Sequence, residues 1–158
     1  MQILAIDPGN RESGYALIQM PEFELLEFGK VENEKLLAFL PYMAWQSDDF
    51  VIEMVESYGM AVGKDVFETC VWIGRFVQAA EKYCNYVYRK EEKTLLCGSL
   101  KAKDSNIRQE LINRYAKFDF KNGKGTKKNP DTFYGVSKDV WQAIAVGVTY
   151  YEKEKENG

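Results

Sequence analysis

The sequence predicts a single α/β domain whose sheet begins antiparallel. Three observations carry this. The chain has 158 residues, 46% of them apolar, which suits one domain with one solid core. Its first three apolar stretches are joined only by "PGNRES" and "PE", breaks short enough for hairpins and too short for crossovers. From residue 32 onward, strand-like stretches alternate with stretches of helical period. The predicted order is β-β-β-α-β-α-β-α-α, with no internal repeat and no linker.

"QILAID" (2–7) is apolar and too short for a helix, so it reads as a buried strand. "GYALIQM" (14–20) and "FELLEFGKV" (23–31) follow as its hairpin partners. Residues 32–46 form a short helix with Leu36, Leu37, Phe39 and Leu40 as apolar positions. "DFVIEMV" (49–55) is strand-like, rich in β-branched residues behind an Asp pair. Residues 65–83 read as a long helix, with Val66, Cys70, Ile73, Val77 and Ala80 as its core stripe. Phe67, Val71 and Trp72 fall outside that stripe, so this helix is expected to touch a second surface, in the core or on a partner subunit. "NYVY" (85–88) is a short strand, and residues 104–116 a helix capped by Asp104 or Ser105. Residues 119–136, rich in Gly, Asn and Lys, read as a flexible loop. A last helix spans 137–154 behind Ser137 as N-cap.

Composition narrows the chemistry. There is no histidine, which removes Ser-His-Asp and Cys-His mechanisms and histidine-containing zinc sites. Cys70, Cys84 and Cys97 are odd in number and widely spaced, as expected of reduced thiols in a cytoplasmic protein. No run of about 18 apolar residues suggests a membrane span. The chain runs straight into a strand, so no signal peptide is expected. The net charge of −3 is unevenly spread. Residues 1–81 carry 5 basic and 14 acidic side chains, residues 82–128 carry 13 and 5, and residues 129–158 carry 3 and 5. A basic middle between acidic flanks suits a polyanion-binding face, or simply a solvated lysine-rich surface.

Three acids stand at informative places. Asp7 closes the first strand, Glu53 lies inside the apolar "FVIEMV", and Asp139 lies in the first turn of the last helix. Singly, each has an ordinary explanation. Asp-Pro-Gly makes a turn, a strand glutamate pairs with a lysine or sits at an edge, and an acid suits a helix N-terminus. Together, in a chain without histidine, they suit the holding of a hard cation.

In this order of elements the chain resembles the RuvC family of Holliday junction resolvases, within the RNase H-like nucleases, and especially its phage-type members. "ILAIDPGNRESGYALI" resembles the opening motif and "VIEMVESYG" the second acidic motif. "VYRKEEKTLLCGSLKAKDSNIRQELI" is similar to the strand, short helix and lysine-bearing helix that follow, and "DVWQAIAVGVTY" to the terminal acidic helix. The resemblance covers nearly the whole chain. It implies one RNase H-like nuclease domain over 1–158: a five-stranded mixed sheet, three strands antiparallel and two parallel, flanked by helices. It also implies a homodimer packed through helix 65–83, acting on branched DNA in recombination, repair or DNA processing, in host cytoplasm if phage-encoded.

Carried over by motif, Asp7, Glu53 and Asp139 become catalytic ligands of Mg²⁺, with Mn²⁺ as a substitute, two ions per site about 4 Å apart. Bacterial members carry a second aspartate one turn after the first on the last helix. Here that position is Gln142, so Glu56 and Asp131 stand as further candidate ligands, with Gln142 itself acting directly, through a water or by orienting a ligand. Glu56 also occupies the place of an aromatic that stacks at the junction centre, and Tyr58 is its candidate substitute. Lys93, Lys101, Lys103 and Arg108 are the expected backbone contacts, joined by Lys124, Lys127 and Lys128 in the loop before Asp139. Lys64 and Arg75 are further candidates. Three rivals share parts of this pattern. A non-catalytic junction-binding module would fit Gln142, and cutting of RNA–DNA hybrids would use the same acids. Sugar kinases and actin-like ATPases share the core but need a second copy of it.

Overall fold

The computed structural model describes all 158 residues. The elements are β1 (Gln2–Asp7), β2 (Glu12–Gln19), β3 (Glu24–Glu32), α1 (Asn33–Gln46), β4 (Asp49–Met54), α2 (Lys64–Ala80), β5 (Cys84–Tyr88), α3 (Arg89–Cys97), α4 (Asp104–Tyr115) and α5 (Lys138–Asn157). The five strands form one sheet in the order β3-β2-β1-β4-β5. β1 is central. It pairs antiparallel with β2, Asp7 opposite Gly14, and parallel with β4, Ile6 opposite Ile52. β2 pairs antiparallel with β3, and β4 parallel with β5. This is the five-stranded mixed sheet that the resemblance implied.

The alternation of β1 divides the core into two layers. Leu4 and Ile6 join α1 and α2 on one face, with Phe50 and Ile52 from β4. Ile3 and Ala5 pack with Val51 under α5 on the other. Because strand side chains alternate, Asp7 continues the Ile3–Ala5 row and Glu53 continues from Val51. Both acids therefore belong to the α5 face. Ten of α5's residues, from Val140 to Tyr150, are buried, because the helix packs against β1, β2 and β4 while α3 and α4 cover its flank. Gly147 permits this approach: a Cβ there would lie 2.7 Å from Ile18 Cδ1 and 3.2 Å from the Ala5 Cβ.

Four expectations need correcting. The helix α3 is absent from the order read by periodicity. Its sequence "RKEEKTLLC" is mostly polar, and its buried positions are Glu92 and Leu96. An acid at an inward position hides the apolar stripe. On α2 the buried stripe is Thr69, Ile73, Phe76 and Ala80, and Cys70 is exposed, so the inward face is rotated from the expected one. α2 also ends at Ala80, where Glu81 turns left-handed at φ 49°. Lys103, rather than Asp104 or Ser105, stands at the N-cap of α4, and its backbone N–H donates to Asn106 Oδ1 at 2.8 Å.

The 119–136 segment is irregular but tightly bonded rather than flexible. The Asp131 carboxylate accepts backbone N–H groups from Lys117, Phe118, Asp119 and Thr132 at 2.7–3.2 Å. Phe133 is fully buried, its ring 4.5 Å from that of Trp141. The bonds to backbone N–H groups hold Asp131 well below the usual carboxylate range, against the opposing effect of burial. Asp131→Asn is expected to cost about 2 kcal/mol in urea unfolding at neutral pH, since charge-assisted hydrogen bonds are lost. A depressed pKa contributes stability above the unfolded value of about 4 and loses it on acidification. The gap between wild type and variant should therefore shrink as pH falls below that value.

Candidate active site

The site forms where β1, β4 and α5 meet. Pro8 and Gly9 turn the chain directly after Asp7, and a buried polar network holds the turn. Ser13 Oγ donates to Asn33 Oδ1 at 2.6 Å, Asn33 Nδ2 donates to the Gly9 carbonyl at 2.9 Å, and Gly9 N–H donates to Ser13 Oγ at 3.1 Å. Ser13 and Asn33 are each 1% exposed. Opposite Asp7 in the sheet, Gly14 admits the first turn of α5. A Cβ at Gly14 would lie 2.8 Å from the Asp139 carbonyl oxygen. This close approach brings Asp139 to the strand that carries Asp7.

Asp7, Glu53 and Asp139 line one cleft, and Gln142 lines it with them. Arg89, Arg108 and Lys138 bring positive charge to its walls, and Ile107 and Trp141 supply apolar surface. Asp7 and Asp139 also border a second recess with Asn10, Arg11 and Lys30. Burial pushes the Asp7 carboxyl well above the usual range, and the neighbouring Glu53 adds to this by charge and hydrogen bonding. Asp139 adds further repulsion, which Arg89 partly offsets.

The three acids share the cleft but do not close into a cage. Asp139 turns its carboxylate to Lys30, whose Nζ donates to Oδ2 at 2.7 Å, and no three acidic or sulfur side chains stand at the spacing of a formed metal site. As a donor set they nonetheless fit a hard divalent cation. Asp7 and Glu53 are crowded carboxyl groups, and a buried carboxyl oxygen beside them, Glu92 Oε2, has no hydrogen-bond partner.

The other sequence-derived candidates divide. Gln142 is in the cleft, and its Nε2 donates to Glu53 Oε1 at 3.0 Å. Asp131 is consumed by the loop and takes no part in the lining, because its oxygens are occupied by backbone donors. Glu56 pairs with Lys90 at 3.0 Å outside the cleft. Tyr58 is 60% exposed on the following loop with φ 52°. Arg108 alone of the proposed DNA contacts lines the cleft. Lys101, Lys103, Lys127 and Lys128 are exposed outside its lining, while Lys93 and Lys124 are half-buried. Lys64 is exposed beside Glu68, and Arg75 lies over the Trp72 ring at 4.2 Å.

Sequence reasoning missed Arg89, Glu92, Lys138 and Lys30. Lys138 was adjacent to a chosen acid, and Arg89 directly follows a strand end, so both had a positional signal. Lys30 and Glu92 had none, since each reaches the site from an element distant in sequence. Lys30→Ala should free Asp139 without unfolding the protein, because the ion pair is largely exposed. The readout is a chemical-shift change at Asp139 with an unaltered melting temperature.

No protein-family model and no curated protein matches the sequence. Solved structures do match in fold. A Thermus thermophilus RuvC structure superposes with a TM-score of 0.71 at 14% identity, over 99% of this chain and 97% of that one. T. thermophilus RuvC in complex with Holliday junction substrate superposes with a TM-score of 0.73 at 13% identity, over 99% and 96%. The fold is therefore the RNase H-like fold of RuvC, over essentially the whole chain.

Proposed function

We propose that this chain is a metal-dependent endonuclease that nicks four-way and related branched DNA. One observation carries the reading. On a fold shared with a protein solved on a Holliday junction, Asp7, Glu53 and Asp139 line one cleft walled by Arg89, Arg108 and Lys138. Acids alone would repel a phosphodiester, and bases alone would only bind it. Asp7, Glu53 and Asp139 would hold Mg²⁺, or Mn²⁺ in its place. When bound, the metal supplies an activated water at neutral pH and charge stabilisation at the phosphorus.

The chain's own side chains do the rest. Arg89, Arg108 and Lys138 bind and orient the backbone phosphate, a positioning role that reads no bases. Lys30 holds the Asp139 carboxylate turned aside until another cation competes for it. Lys101, Lys103, Lys127 and Lys128 extend the contact along the arms. Removing Lys101 and Lys103 together should weaken junction binding and flatten the log K against log salt slope by about two units, measured by fluorescence anisotropy.

The test of activity is purified protein with a four-way junction and Mg²⁺ or Mn²⁺, compared with flap and RNA–DNA hybrid substrates. Nicks on the junction support the reading, and preference for hybrids would redirect it to RNase H-type cutting. Binding without cutting in either metal would favour the non-catalytic module, which the Asp139–Lys30 pair and Gln142 would then explain.

A homodimer through α2 belongs to the same reading. Phe67 and Val71 are 61% and 63% exposed on that helix, on the side away from its buried stripe. A symmetric pair would present two clefts to two strands. No helix is long and apolar enough to cross a membrane, so this exposed face is not explained by a span. Light scattering at micromolar concentration should give twice the chain mass, and Phe67→Glu should halve it.

A further inference from the structure

Glu92 is a fully buried acid whose one paired base is shared with another acid. It stands on α3 at 0% exposure. Its nearest base, Arg89, is 3.5 Å away and is shared with Asp104. Gln142 Nε2 donates to Glu92 Oε1 and also to Glu53 Oε1, the latter at 3.0 Å. Glu92 Oε2 has no partner at all. A buried carboxyl with an idle oxygen is expensive in any fold unless it is neutralised or a ligand uses it.

The amide of Gln142 explains the arrangement. Its two N–H groups face two carboxyl groups on two different elements, β4 and α3. Turned over, the amide would set its oxygen against both, so the bridge has one orientation. Gln142 therefore ties the Glu92 carboxyl to the Glu53 carboxyl that lines the cleft. An acid at position 142 would offer neither carboxyl group an N–H donor.

We propose that Glu92 is the fourth carboxylate of the cation site, carried by α3 instead of α5, with Gln142 as the positioning residue that holds it beside Glu53. The inference rests on the metal-site reading above. It adds a residue to that site and gives Gln142 a role. Charge missing from α5 is supplied from α3, behind Gln142, and the charge count, which sets affinity for hard cations, is kept.

The test is Mn²⁺ and Mg²⁺ binding without DNA, by calorimetry and by metal-induced rise in melting temperature. The variants are Glu92→Gln, Glu92→Asp, the double variant Glu92→Gln with Gln142→Glu, and Asp7→Asn. Glu92→Gln is expected to weaken Mn²⁺ binding about tenfold. Moving the acid back to α5 in the double variant should restore affinity to within about threefold of wild type, which a merely structural Glu92 would not predict. Glu92→Asp keeps the charge and should retain most of the metal-induced rise, should Glu92→Gln fold poorly. Wild-type affinity in Glu92→Gln, with loss in Asp7→Asn, would overturn the role of Glu92 and leave the metal site standing. Failure of wild type itself to bind either metal would instead overturn the metal site, and this inference with it.

Discussion

Asp7→Asn should reduce nicking of a four-way junction by at least about a thousandfold, with junction binding changed no more than about threefold. Asp7 ends the central strand, lies against Glu53 and borders both recesses. An asparagine keeps the shape and the neutral oxygen but removes the anionic ligand that a divalent ion needs. Binding should persist because the phosphate contacts proposed for Arg89, Arg108 and Lys138 are not touched by the change. Glu53→Gln should behave alike. Equal loss of binding and cutting would show instead that the substitution disturbs the fold.

The same variant makes a second, opposite statement about stability. Burial first, then Glu53, raises the Asp7 carboxyl above its ordinary range. The unfolded chain therefore ionises it at lower pH than the folded one does. Without metal, wild type loses stability as pH rises from about 4 through the raised folded value, and Asp7→Asn does not. In EDTA at neutral pH the variant should melt higher than wild type, and the difference should close towards pH 4. Excess Mn²⁺ should reverse the order.

Gly14→Val should lower stability by about 3 kcal/mol in urea unfolding and should reduce nicking at least tenfold beyond what that loss explains. The Cβ would meet the Asp139 carbonyl oxygen at 2.8 Å, an atom of helix backbone that cannot rotate away. β2 is pinned on both sides by β1 and β3, so the first turn of α5 must yield. That turn carries Asp139, and Gln142 follows three residues on. A displacement of about 1 Å there misplaces a site whose chemistry depends on geometry. Retained activity with full stability would mean that α5 docks less rigidly than the contact implies.

Much of this architecture was legible in local pattern. The apolar runs "QILAID" and "FVIEMV" are enough to put Asp7 and Glu53 on buried strands, and the brief hairpin breaks specify antiparallel β1, β2 and β3. The apolar middle of α5 announces a buried helix, with Asp139 in its first turn. Two readings failed, each for its own physical reason. Asp131 had the chemistry of a ligand, but backbone donors brought from residues 117–119 by the loop's own folding occupy its oxygens. α3 had no apolar stripe, because one of its inward positions is an acid.

Sequence alone determined most of the elements, which strands carry Asp7 and Glu53, and that carboxylates rather than histidines must carry any chemistry. These follow from local periodicity and from composition, which need no knowledge of distant contacts. Only the tertiary structure decided the company those acids keep. Packing of α3 and α5 on one sheet face sets Glu92 against Gln142 and Glu53, and the pairing of β3 at the sheet edge delivers Lys30 to Asp139. Such contacts join residues 50 to 109 positions apart. No local spacing encodes them, because side chains so far apart in the chain meet only through the packing of the elements that carry them.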